Sequence, residues 1–203
     1  MKATFQKALT PGNLKASRSH WGILILLILS LGCLLVVPVF MPESYSWLIH
    51  TTSESAAQGL QGAWLARLGF LLFGFAVLWL AALLSTTWAR AASWMHLAFG
   101  ILMIGTAAFS HRPFIPGVPF DPVEDWLHSF SATLMGFAFS LGVFFRFLQR
   151  GKSIGRVLDL VALASAIGIP LLMMRFPGIG GLVQRLMFLV AYLWYGTEAW
   201  RLG

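Results

Sequence analysis

Residues 21–40 read WGILILLILSLGCLLVVPVF, twenty positions without one charged side chain. A helix rising about 1.5 Å per residue needs about 20 apolar residues to cross the roughly 30 Å hydrocarbon core of a bilayer. This run has that length. With no water in the core to satisfy its backbone, a helix is the form it takes there. The basic segment MKATFQKALTPGNLKASRSH precedes it and imitates the start of a signal peptide. The run is longer than the ~7–15 residues of a signal's apolar region, and no small-residue cleavage pattern follows. It reads as an uncleaved first span.

Five more runs of this kind follow, at about Ala63–Leu84, Ala91–Phe109, Val123–Phe147, Arg156–Met174 and Gly181–Trp200. All are too long to be barrel strands. The composition agrees: 10% of the chain is charged, against about 25% in a soluble domain. The expected fold is all-α, a polytopic six-helix transmembrane bundle in one domain over residues 21–203, behind a basic cytoplasmic tail at 1–20. No stretch reads as a soluble catalytic domain, so any chemistry must be built from helix ends and short loops. A formal charge of +7 could suggest nucleic acid, but the basic residues sit in short blocks beside the apolar runs, which is the requirement of membrane orientation. No nucleic-acid partner is expected; membrane lipids are, together with a second copy or another membrane protein as open alternatives. Lys2, Lys7, Lys15 and Arg18, then Arg90, then Arg146, Arg150, Lys152 and Arg156 fall on one side of six spans. That side is expected to be cytoplasmic, with both termini inside, in a multi-pass cell membrane protein of the bacterial inner-membrane kind. Trp21, Trp47, Trp64, Trp88, Trp126 and Trp200 fall near span ends, where interfacial tryptophans belong. Pro170 is expected to kink the fifth span. The single Cys33 offers no disulfide and no metal-site spacing.

Ionisable groups concentrate in HRPFIPGVPFDPVEDWLHSFS, residues 111–131, which hold two of the five histidines and three of the seven acids. Part of this is a helix start: Asp121 as N-cap, Pro122 at the first helical position and Glu124 two further on. Thr51-Thr52-Ser53-Glu54 reads the same way. Asp125 and His128 are different. They lie i, i+3 on one face, and the dipole of a helix start disfavours a protonated imidazole. A neutral imidazole beside a carboxylate suits a general base or a divalent metal. His128 and Asp125 are therefore the catalytic candidates, and His111, His128, Asp125 and Glu54 the candidate metal ligands. No H-x-x-x-H or H-E-x-x-H pattern supports a particular ion. His96 is placed too far along the third span to join them and reads as an interhelix hydrogen-bonding residue. His20 and His50 read as solvated interfacial groups, and Asp159 as a partner for Arg156.

Two span starts match. Gly62-Ala-Trp-Leu-Ala-Arg67-Leu-Gly-Phe70-Leu71 and Gly180-Gly-Leu-Val-Gln-Arg185-Leu-Met-Phe188-Leu189 both follow G-x-x-x-x-R-L-x-F-L. They place Arg67 and Arg185 at one depth, able to pair with Glu54 and Asp125 or to hold an anionic headgroup. Simple snorkelling to the interface is the plainer alternative.

The stretch TSESAAQGLQGAWLARLGFLLFG, the Phe120-Asp121-Pro122 to Trp126-Leu127-His128 segment and the Gly-x-x-x-Gln-Arg185 start of the last span resemble the bacterial membrane proteins catalogued as domain of unknown function 998. The resemblance runs from about Trp21 to the end. It implies a fold of six or so spans, distantly Frag1/DRAM-like, with Asp121, His128 and Arg185 as matched positions and no activity attached. Three functional readings stay open. In the first, the polar cluster is an interhelix clamp or headgroup site in a non-catalytic protein. In the second, it belongs to a small hydrolase or lipid-remodelling enzyme using a metal or a general base. In the third, it is a substrate or proton site in a transport component.

Overall fold

The computed structural model describes residues 11–203, so the first half of the expected basic tail, with Lys2 and Lys7, lies outside it. Among the described residues there are seven α-helices and no strand. They are α1 (Pro11–Val36), the single-turn α2 (Thr52–Ser55), α3 (Ala63–Leu84), α4 (Arg90–Ala108), α5 (Pro122–Gln149), α6 (Ile154–Arg175) and α7 (Gly180–Trp200). Helix α1 begins at Pro11, within the expected tail, and its candidate span at Ser19. All the long helices are apolar enough to cross a membrane, the first as Ser19–Phe40. The helices and candidate spans agree with the expected spans within two residues at nearly every boundary.

Consecutive long helices pack in series, α1 on α3, then α4, α5, α6 and α7, and α7 returns against α1. Close approach of α3 and α4 rests on two facing glycines. A Cβ on Gly74 would stand 2.9 Å from the Gly100 carbonyl oxygen, and one on Gly100 3.0 Å from that of Gly74. Small residues at such crossings let backbones meet where lipid gives no hydrophobic drive to pack. The centre is aromatic and built around α7. Tyr192 stacks on Phe73 at 4.3 Å, while Tyr195 lies within 5.8 Å of Phe73, Phe99 and Phe139. Buried His96 joins them through Nδ1, 2.9 Å from the Tyr195 hydroxyl. Helix α6 is peripheral: its buried residues are Gly155, Asp159 and Ala162, and it continues through Pro170.

The bundle has two ends. One, the cleft end, carries the connections at residues 41–62, 109–121 and 176–179. The other carries the α3–α4 and α5–α6 connections and the C-terminus.

Candidate functional site at the cleft end

The last turn of a helix leaves four carbonyls without helical partners. At the end of α4 those of Thr106, Ala107, Ala108 and Phe109 are all taken by side chains of neighbouring helices. From α3, Arg67 Nε donates to Ala107 O at 2.8 Å and Nη2 to Ala108 O at 2.9 Å. From α5, His128 Nδ1 lies 3.1 Å from Thr106 O and 3.0 Å from Phe109 O. Carbonyls only accept, so Nδ1 carries the proton. The same treatment continues along the chain. Ser110 N donates to Glu124 Oε2 at 3.2 Å and Arg112 N to Asp125 Oδ1 at 2.8 Å. Gln58 donates from Nε2 to Ser110 O and to Asp121 O, accepts from Asp121 N, and gives its own backbone N–H to His111 O.

Asp121 and Thr51 are the N-caps that the sequence indicates. Asp121 Oδ1 accepts from Val123 N at 2.7 Å, and Thr51 with Glu54 forms a complete capping box. Glu124 departs from its expected capping role and reaches across to Ser110, because Gln58 already holds the Asp121 N–H.

The candidate metal and catalytic residues come together only in part. His111 Nε2 is 3.9 Å from Asp125 Oδ1, beyond hydrogen-bond reach, and its ring meets that of His128 edge-on at 5.4 Å. Asp125 and His128 share a face, as their spacing requires, yet bond to different parts of the backbone. His128 is 1% exposed and its Nε2 has no partner. Glu54 is not drawn to them: its Oε2 takes the Thr51 N–H at 2.7 Å and the Thr51 hydroxyl at 2.9 Å. Among the described residues no three His, Cys, Asp or Glu side chains are placed to hold a metal ion.

Of the alternatives for the two arginines, pairing with Glu54 and Asp125 is not the arrangement seen: both bind backbone oxygens. Arg185 Nη1 donates to the carbonyls of Trp47 (2.9 Å), His50 (2.8 Å) and Gly181 (2.9 Å), and Nη2 to the Tyr45 hydroxyl. The start of α7 is held by the same loop, with Gly181 N on Ile49 O, Leu182 N on Leu48 O, and Gln184 Oε1 accepting from Thr52 N and Oγ1. The matched span starts thus do matching work, each arginine closing open carbonyls of a neighbouring segment. Their phenylalanines, Phe70 and Phe188, stack at 6.0 Å.

Beside this framework lies a cleft of about 500 Å³, lined by Ile49, His50, Glu54, His111, Arg112 and the 113–118 turn. His50 is sandwiched there between Tyr45 and Phe114, at ring distances of 5.3 and 4.2 Å, with Nδ1 accepting from Ser46 N. Burial pushes the Tyr45 phenol up, against the opposing pull of the Arg185 charge.

The opposite end holds a cluster that sequence reading missed. Glu198, 3% exposed, meets Arg146 at 3.0 Å, Arg150 at 2.6 Å and also Arg201. Asp159 is fully buried. Its partners are Arg150 at 2.8 Å and the Trp194 indole N–H at 2.8 Å, not Arg156, which lies over the Phe147 ring. His20, expected in solvent, is buried beside Trp21 and Trp200. The available signal was two acids inside apolar runs, each within a few residues of a span end.

A family model described as a protein of unknown function, DUF998, matches residues 24–201, and the chain belongs to that family. Searches of curated proteins and of solved structures return no match.

Proposed function

We propose that this DUF998 member is a non-catalytic multi-pass membrane protein whose cleft-end polar residues clamp the helices together and hold a rigid cleft open to a polar headgroup. One observation carries the reading. The main chain of residues 106–112 takes up Arg67, His128, Glu124, Asp125 and Gln58, the groups from which an active site would be drawn. A base needs its proton acceptor within reach of substrate. His128 points its bonded nitrogen at the end of a helix and keeps the other buried. The cleft walls, by contrast, present His50, His111 and Arg112 to whatever enters. By the positive-inside rule the cleft end faces outward.

Elemental analysis of the purified protein, alongside thermal unfolding in detergent with and without chelator, tests the reading. The expected result is no stoichiometric divalent metal, no chelator effect, and lowered melting temperatures for Arg67→Gln and His128→Ala. One bound metal per chain that disappears in Asp125→Asn would replace the clamp with a metal centre.

A further inference from the structure

A second cavity, of about 270 Å³, lies between α1 and α7 and shares no lining residue with the cleft. Its walls are aliphatic, among them Leu35, Leu186 and Leu189, whose outer faces are exposed on the side of the bundle. Arg185 and Trp47 stand at one end and Tyr192 at the other. Leu182 to Tyr192 is ten residues of helix, about 15 Å, which is half of the roughly 30 Å core. From the first turn of α7 the groove therefore runs inward over a length equal to about half of that core. At its inner end Tyr192 is bonded to Ser30, which also donates to Gly69 O.

The polar end carries a positive charge. The hydrogen-bond partners of Arg185 are three carbonyls and a phenol, all neutral, and its guanidinium lies 4.9 Å from the Trp47 ring centre. Its Nε is buried with no partner. Glu54 lies within its field, but the carboxylate is turned to Thr51. We infer that the α1–α7 groove seats one acyl chain of an anionic phospholipid, from the leaflet at the cleft end, with the phosphate at Arg185. A crevice of this shape facing hydrocarbon gains dispersion contacts when a chain fills it, and the arginine selects the headgroup. The site stands apart from the proposed cleft, with which it has only the Arg185 clamp in common.

The test is native mass spectrometry of the full chain in detergent with equal amounts of phosphatidylglycerol and phosphatidylcholine of identical chains. The native protein is expected to retain one phosphatidylglycerol in preference by about fivefold, the scale of one basic residue against an anionic lipid. Arg185→Lys keeps that preference even where the clamp is weakened, and Arg185→Gln loses it. Leu189→Trp or Leu186→Trp, each filling the groove, lowers retention of both lipids several-fold. Equal retention of the two lipids by the native chain, preference intact in Arg185→Gln, or unchanged retention in both tryptophan variants would overturn the assignment.

Discussion

Arg185 can reach three carbonyls because of the residue four positions before it. A Cβ on Gly181 would collide with the oxygens of His50 and Trp47, two of the acceptors that Arg185 binds. Glycine lets the loop lie on the first turn of α7, and arginine ties it there. Gly181→Ala, although alanine is the better helix former by about 1 kcal/mol, is expected to cost about 1–3 kcal/mol net through the displaced loop, read as a lower melting temperature. Tyr45 adds a pH dependence. Its folded value is raised above the ordinary 10.0 by burial, so folding favours the neutral phenol. That contribution is fully present below pH 10 and is lost as pH climbs through the higher folded value. Thermal melts are expected to be flat in Tyr45 terms from neutral pH to about 9 and to fall beyond 10. Tyr45→Phe should show a lower plateau and a shallower alkaline fall; an identical alkaline slope in the two proteins would remove Tyr45 as the cause.

At the scale of elements, the end of α4 is the test of whether these polar groups are structural. Each carbonyl left without its partner at low polarity costs about 1–3 kcal/mol, although hydrogen bonds between membrane helices average nearer 0.6 kcal/mol. Arg67→Gln and His128→Ala are each expected to lose stability in that span, measured by unfolding in one detergent. Two native-like melts would mean that the terminal carbonyls find water and that the side chains are free for other work. The caps at Thr51 and Asp121 were legible because capping is local, fixed by residues two or three apart. The six spans were legible for a similar reason: length and hydropathy are properties of one segment. The partners of Arg67, His128, Asp125 and Glu124 were not, because all six are backbone groups of residues 106–112, on another stretch of the chain. No side-chain pattern encodes which main-chain groups a loop will leave open. Charge pairing was the natural guess for two arginines near two acids, but open carbonyls hold the guanidiniums instead, two at the end of α4 for Arg67 and three around the start of α7 for Arg185.

The whole molecule is polar at both ends for different reasons. At the C-terminal end three arginines converge on two buried acids, leaving one positive charge in excess. Glu198→Gln strands that cluster without its central acid and is expected to cost about 3–5 kcal/mol, as other broken buried pairs do; a stability change below 1 kcal/mol would mean that the cluster is solvated. Arg146 and Arg150, which by sequence are orientation signals, also hold the buried acids, and the second role is compatible with the first, since the rule counts Lys and Arg and takes little account of acids. The C-terminal end carries Arg90, Arg146, Arg150, Lys152, Arg156 and Arg201, whereas at the cleft end Arg67 and Arg185 are drawn into the fold and Arg112 and Arg175 remain. That asymmetry predicts the cleft on the outer surface. Cys33 is the single cysteine, so a Cys33→Ala background allows one reporter at a time. Pro116→Cys, on the exposed turn beside the cleft, is expected to react with a membrane-impermeant maleimide in intact cells, and Lys152→Cys only after permeabilisation. The reverse pattern would turn the bundle over, place the cleft in the cytoplasm, and move the lipid groove to the inner leaflet, where anionic headgroups would still meet Arg185.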